Sequence, residues 1–195
     1  MADHLNSVKT AAQRRYHHGD LRNALIEAGA AELAAHGVDG FSLRAAARRA
    51  GVSPAAPAHH FGDARGLLTA IAARGYGELA QRLGEADQSS AERRARLDAQ
   101  GAAYVAFALA NPAVFDLMWR RALLDGGDPA LEAAGEAAFR VLADAVDGPG
   151  HAGPPSAGVL AAWSIVHGYA RLMLDGAVKD AAQVPVTDVL ARLSL

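Results

Sequence analysis

The sequence predicts an all-α fold, on three observations. Hydrophobic residues make up 51% of the chain but aromatic residues only 6%, because alanine supplies much of the apolar content. Alanine gives up no side-chain entropy in a helix, and the β-branched and aromatic residues that strands favour are sparse. Apolar residues also recur at three- and four-residue spacing, interrupted by glycine, proline and asparagine. With 195 residues the chain has room for one to two domains and a sizeable core.

Gly19-Asp20 opens the first helix, with Leu21, Ala24, Leu25, Ala28 and Ala31 on one face and a stop at His36-Gly37. Ser42 is the predicted N-cap of a short second helix, with Leu43, Ala46, Ala47 and Ala50 turned inward and Gly51 ending it. The segment AGVSPAAPAHHFGD, Ala50 to Asp63, then holds two prolines. With Ser53 as cap, Pro54 takes the first helical position, where its missing N–H would have had no partner. Pro57 follows four residues after the cap and removes only the first intrahelical bond.

Leu68, Ile71, Ala72, Leu79 and Leu83 mark a longer fourth helix, ended by the polar break GEADQSS. Leu97, Gly101, Tyr104, Val105 and Ala108 mark the fifth, stopped by Asn111-Pro112. Asn111 then caps a short helix with Phe115, Met118, Trp119 and Ala122 aligned. After DGGDP, the positions Leu131, Ala134, Ala138, Val141, Leu142 and Ala145 form an amphipathic stripe. Residues 147–158, DGPGHAGPPSAG, read as a mobile loop. Val159, Ala162, Trp163, Val166, Tyr169, Ala170, Met173 and Leu174 cover more than one face of the next helix, which must bury both. The last helix holds Val189, Leu190 and Leu193. The expectation is about nine helices, no strand and no repeat of fixed period.

The absence of cysteine excludes disulfides and thiolate metal sites. The N-terminal stretch lacks the apolar core of a signal peptide, so a cytoplasmic location is expected. Residues 99–115 are uncharged, but Gln100, Asn111 and Pro112 interrupt them. A membrane span of ~18 or more apolar residues is not read anywhere, so no membrane is expected. No Ser-His-Asp or paired-carboxylate spacing and no phosphate-binding glycine loop stands out, so neither an enzyme nor a cofactor is expected. The pairs His17-His18 and His59-His60 invite a metal site. Consecutive residues on a helix point ~100° apart, however, and no metal is expected.

Charge is unevenly spread. Formal net charge is −2, but residues 1–65 carry a net +2 and six of the eight histidines. This third also holds the two short helices joined by the tight Gly51-Val52 turn, which is helix-turn-helix anatomy. Ala47 is small enough for close helix packing, Val52 is an apolar plug, and Pro57 fills an inward-facing slot. On spacing alone, an ordinary helical hairpin fits equally well.

The segment from Tyr16 to Leu68 resembles the DNA-binding domain of the tetracycline-repressor (TetR-type) family of bacterial regulators. The resemblance lies in HGVDGFSLRAAARRAGVSPAAPAHHFGDARGLL, where Val52, Ser53, His60, Phe61, Gly62, Leu67 and Leu68 fit the family pattern. Ala58 and Ala64 depart from it, standing where the family usually has a phosphate-contacting tyrosine and often a lysine. YVAFALANPAVFDLMWR and AAWSIVHGYARLMLDG resemble the regulatory domain of the subgroup named for its Trp-His-Gly signature, here Trp163, His167 and Gly168.

The resemblance implies a helix-turn-helix domain over residues 1–65, with an arm over 1–18, and a ligand-binding and dimerisation domain over 66–195. It implies a homodimeric repressor on a near-palindromic double-stranded operator, released by a small apolar effector. The third helix would enter the major groove, with Ser53, Pro54, Ala55 and Ala56 facing the bases and Ala58 and His59 nearby. Arg14 and Arg15 of the arm would contact phosphate or the minor groove. Ser42 and Arg44 would anchor phosphates, and Arg65 would compensate for the missing lysine. His60 reads equally as core or as a phosphate contact, and Arg49 as part of a solvated face. Protonation near pH ~6.5 would make the histidine-rich head bind DNA more tightly at pH 6 than at pH 8.

An apolar cavity is implied between the helices of the regulatory domain, with Tyr104, Phe107, Phe115, Met118, Trp119, Trp163 and His167 as its candidate residues. Aromatic and methionine residues at this spacing equally describe plain core. Gly168 and Ala170 would allow close helix packing, including at a dimer interface formed by the last two long helices. The rival readings are a helical enzyme or metal-binding protein sharing the fold, and a DNA-binding protein without a ligand.

Overall fold

A computed structural model describes residues 21–89, 91–150, 153–180 and 183–192. Arg14, Arg15, His17, His18 and Leu193 lie outside these residues. Among the described residues there are nine α-helices, one 3-10 turn and no strand. The chain is helical over residues 21–36 (α1). It continues through α2 (Leu43–Arg49), α3 (Ala56–Phe61), α4 (Ala64–Asp87), α5 (Arg93–Ala110) and α6 (Pro112–Trp119). A 3-10 turn (Arg121–Leu123) leads to α7 (Pro129–Asp147), α8 (Ala157–Leu174) and α9 (Val186–Leu190).

Most helix boundaries follow from local chemistry. The hydroxyl of Ser42 accepts from Ala45 N, the carboxylate of Asp63 from Gly66 N, and the hydroxyl of Ser156 from Val159 N, each capping the helix that follows. Gly51 and Gly62, at φ +70° and +78°, make the left-handed turns after α2 and α3 that other residues resist.

The third helix begins later than the sequence predicts. Ser53 does not cap it; its carbonyl accepts from Ala56 N at 3.0 Å, closing a turn, and α3 starts at Ala56 with Ala55 at the N-cap. This start places buried Pro57 at the second helical position, where the missing N–H leaves no intrahelical bond unmade.

The inward face of α1 is also rotated from the predicted one. Leu25, Ala28 and Leu33 are buried, but Ala31 is exposed and Glu32 is only 4% exposed. Gly29 explains the rotation: a Cβ there would lie 2.8 Å from Ile71 Cδ1 of α4, so α1 presents its glycine to the close approach. Buried Glu32 is paired with Arg49 Nη2 at 3.2 Å and His36 Nδ1 at 3.1 Å. Arg49 is therefore not a purely solvated side chain; it ties α2 back to α1. Removing one partner from a fully buried pair costs ~3–5 kcal/mol, and the partial exposure of Arg49 reduces that figure. Arg49→Ala is expected to lower stability by about 1–2 kcal/mol in urea denaturation.

Three further boundaries differ. α4 runs through Asp87 into the predicted break, with Gln81 Nε2 donating to Glu85 Oε1 one turn on. Asn111 stands at the N-cap of α6, but its Nδ2 donates to Phe107 O and so closes α5. Ala122 falls in the 3-10 turn and is exposed. α8 meets by length and composition the requirement for a membrane span that no segment was expected to meet. Its Val159, Ala162, Val166 and Ala170 are instead buried in the protein core.

The long α4 organises the molecule. Its first turns, with Leu67 and Ile71, pack in one core with Ile26, Leu33 and Ala46 of the N-terminal helices. Farther along, Leu79 and Leu83 share the same core with Tyr104, Phe115, Met118, Val166 and Leu190. A smaller cluster of Leu97, Ala145, Val146, Val159 and Ala162 closes the far end.

Candidate DNA-binding face and effector cavity

α2 and α3 are joined through Gly51, and α3 with the turn before it presents an outward face of small and uncharged groups. Ser53, Pro54, Ala55, Ala58 and His59 are exposed, Ala56 and His60 are half-buried, and Phe61 packs against the core. Arg44 and Arg48 are exposed on α2, while the Ser42 hydroxyl is engaged in its cap. Arg22 of α1 lies over the Phe61 ring, 5.2 Å from its centroid, holding the end of α3 to α1. Nothing in the sequence reading singled out Arg22.

Arg65 turns toward the body of the protein. Its Nη2 donates to the carbonyl of Leu124 at 2.5 Å. Four residues on, the buried Thr69 hydroxyl donates to Arg65 O (2.7 Å) and accepts from Asp125 N (2.9 Å). Arg120 Nη1 pairs with Asp39 Oδ1, in the turn between α1 and α2, at 3.0 Å. The stretch 120–125 therefore touches the turn between α1 and α2 once and the first turns of α4 twice. It begins directly after Trp119.

Trp119 stands on the wall of a narrow cavity of about 40 Å³ between α4, α5, α7 and α8. Aliphatic side chains such as Leu79, Leu83, Leu97 and Leu142 line it, with Tyr76, Tyr104, Trp119, Phe139 and Trp163. An outer cleft of about 480 Å³ adjoins it, and Tyr76, Trp119, Gly135, Phe139 and Trp163 border both spaces. A drug-sized ligand occupies ~300–1,000 Å³, so the inner space takes one only if this shared wall moves.

Of the seven residues singled out for the cavity, Tyr104, Trp119 and Trp163 line it and Met118 lines the outer cleft. Phe107 and Phe115 are fully buried core behind it, and His167 stands in a second rank, off the wall. Helical spacing cannot separate wall from core here, because the cavity is bounded from across the fold by Tyr76 and Phe139. Gln100 was also missed as a site residue. Its signal was present: a lone polar side chain on the buried stripe of Leu97, Gly101 and Tyr104.

A neutral polar pair supports the wall: the Tyr104 hydroxyl lies 2.9 Å from His167 Nδ1. Burial pushes the Tyr104 hydroxyl well above its ordinary pKa, against the opposing effect of the neighbouring Trp163 indole. Burial, and secondarily the charge of Arg171, pushes the His167 pKa down. His167 is therefore neutral, and its Nδ1 shares a hydrogen bond with the Tyr104 hydroxyl. The His167 ring packs edge-on to Trp119, with centroids 4.6 Å apart.

Residues 25–71 match the family described as bacterial regulatory proteins, tetR family, and residues 97–193 match the tetracyclin repressor-like C-terminal domain. No curated protein matches the chain. Among solved structures, a Rhodococcus sp. RHA1 protein of unknown function is 37% identical, over 90% of this chain and 92% of its own, with a TM-score of 0.73. A TetR-family transcription regulator from Marinobacter aquaeolei VT8 shares the fold at 21% identity, over 90% of this chain and 93% of its own, with a TM-score of 0.64. Another from Thermus thermophilus does so at 20% identity, over 85% and 91%, with a TM-score of 0.57.

Proposed function

Because the chain belongs to the tetR family of bacterial regulatory proteins and is a DNA-binding transcriptional regulator, we propose that it is a homodimeric repressor released from its operator by a small apolar effector. The observation that supports this reading is the 120–125 stretch, which joins the cavity wall at Trp119 to the first turns of α4 and to the turn between α1 and α2. An effector that spreads the shared wall displaces Trp119 and, through Leu124 and Asp125, the α3–α4 joint. It then favours the head geometry that cannot span both half-sites, and the population leaves DNA by that difference in affinity.

On the operator, α3 and the turn before it enter the major groove, where Pro54, Ala55, Ala56 and Ala58 offer apolar contact to thymine methyls and Ser53 and His59 offer hydrogen bonds. Arg44 contacts phosphate, the helix end at Ser42 lies beside it, and Arg14 and Arg15 supply arm contacts. His60 stands at the edge of this face. Arg65 is divided between phosphate and the Leu124 carbonyl. Restoring the family's usual lysine by Ala64→Lys is expected to tighten operator binding several-fold at low salt and to steepen the salt slope by ~1.8, for one added phosphate contact in each protomer. Anisotropy titrations at several salt concentrations measure both.

The two domains divide near residue 65, within the first turn of α4. The dimer forms along the outward side of α8, where Leu160 is 49% and Leu172 45% exposed and a Cβ on Gly168 would meet nothing within 4 Å. α7 completes the interface. Ala170, by contrast, is fully buried within one chain, so its small size serves packing inside the protomer. We read Trp163, His167 and Gly168 as the signature of the Trp-His-Gly subgroup, and this supports assigning the regulatory domain to it. The protein acts in the cytoplasm, without catalysis.

Selection of duplexes from a random pool by the full chain tests this function. A near-palindrome with half-sites about one helical turn or slightly more apart is expected. No enrichment after repeated rounds would sink the reading.

A further inference from the structure

The polar groups around the cavity satisfy one another, with two exceptions. Tyr104 is engaged with His167 at 2.9 Å, and the Tyr76 hydroxyl donates to Met118 O at 2.9 Å. Arg94 and Asp98, both on the wall, pair through Nε at 3.1 Å, so their charges cancel. The exceptions are Gln100 Oε1 and Trp119 Nε1, both buried and neither with a hydrogen-bond partner. Both residues line the cavity.

Gln100 is 1% exposed, and its orientation is fixed. Nε2 donates to Asp87 Oδ1 at 2.9 Å, and turning the amide over would set its oxygen against that carboxylate. Buried polar atoms are normally paired. An acceptor locked in place on this mostly apolar wall therefore awaits a donor.

We propose that the effector is an uncharged, mainly apolar molecule carrying a hydroxyl or N–H group, which it donates to Gln100 Oε1. An acceptor atom of the ligand serves the Trp119 indole N–H. This rests on the effector-cavity reading above and adds the ligand's chemistry to it. A carboxylate is disfavoured, because it would bring negative charge against the Gln100 oxygen beside Asp87, while Arg94 is already met by Asp98. An ammonium is disfavoured, because those aspartates are engaged and the remaining wall is aliphatic or aromatic.

Five probes that share one propylphenyl body test the assignment: 4-propylphenol, 4-propylanisole, propylbenzene, 4-propylbenzoate and 4-propylbenzylamine. Each is titrated into the full chain while tryptophan emission is followed, since both tryptophans of the sequence, Trp119 and Trp163, line the cavity. The phenol is expected to bind about tenfold or more tighter than the anisole, which lacks only the donor. It is also expected to exceed both charged probes. In Gln100→Met and Gln100→Leu the ratio of phenol to anisole affinity should fall to about one, as it does when a site loses the group that made the discrimination. Thermal melts show which of the two variants is folded, and the ranking in the native chain stands without either. Tightest binding by a charged probe, equal binding of phenol and anisole, or a preference that survives in a folded variant would overturn the proposal and leave the effector cavity standing. Failure of all five probes to bind would overturn the cavity reading with it.

Discussion

Replacing Gly66 by alanine is expected to abolish tight operator binding and to lower stability by about 2–3 kcal/mol, at the upper end of the cost of overpacking. Gly66 is the third residue of α4, and a Cβ there would lie 1.9 Å from the carbonyl oxygen of Phe61 and 3.0 Å from its carbon. Both are backbone atoms and have no rotamer by which to withdraw. The joint between α3 and α4 must open, turning α3 relative to α4 and to the body. Leu67 and Leu68, the next two residues, are buried and resist the shift. A head rotated in both protomers no longer presents two recognition helices at groove spacing, so the affinity loss should exceed the stability loss. Gly77→Ala is the control. That position is exposed in the middle of α4, and a Cβ there meets nothing within 4 Å. It should stabilise the helix by up to about 1 kcal/mol and leave operator affinity unchanged. Thermal melts and anisotropy titrations of the two variants check the contrast.

The second large effect concerns the connection between cavity and head. In Arg65→Met with Thr69→Val, the ties to Leu124 O and Asp125 N are both removed. Linkage is reciprocal: if a ligand in the cavity alters DNA affinity, DNA must alter the cavity. Operator DNA titrated into the native protein is therefore expected to change the emission of Trp119 and Trp163. The double variant also loses the phosphate contact assigned to Arg65, so it is expected to bind operator more weakly; at saturating operator it should still lose most of that change, because coupling energies of this kind are typically ~1–3 kcal/mol. An unaltered fluorescence response in the variant would mean that the Arg65 and Thr69 ties do not carry the coupling.

The sequence reveals local structure well because local structure has local causes. Ser42 before an apolar turn, Gly37, Gly51 and Gly62 at φ near +70°, and Pro112 after Asn111 each mark a helix end by a steric or hydrogen-bonding rule acting within four residues. At Ser53 two such rules compete. The hydroxyl favours a cap there, but Pro57 favours a start at Ala56, and the proline prevails. Long-range pairing is invisible from the same vantage. An acid on an apolar stripe reads as solvent-facing until Arg49, 17 residues away, proves to be its partner. Thr69 and Asp125 lie 56 residues apart. The gathering of aromatics in the second half was legible, whereas the separation of Trp119 and Trp163 on the wall from Phe107 and Phe115 behind it depends on where α4 and α7 come to rest.

The most direct test of the account is a fluorescence anisotropy titration of the full chain against the duplex upstream of its own gene, with a scrambled duplex of equal composition as control, repeated across salt concentrations. The account predicts sequence-dependent binding with a steep salt slope, near −0.9 for each phosphate contact. It also predicts that the Gly66→Ala variant loses the preference. Equal, weak binding to both duplexes, together with failure to select any operator from a random pool, would contradict it.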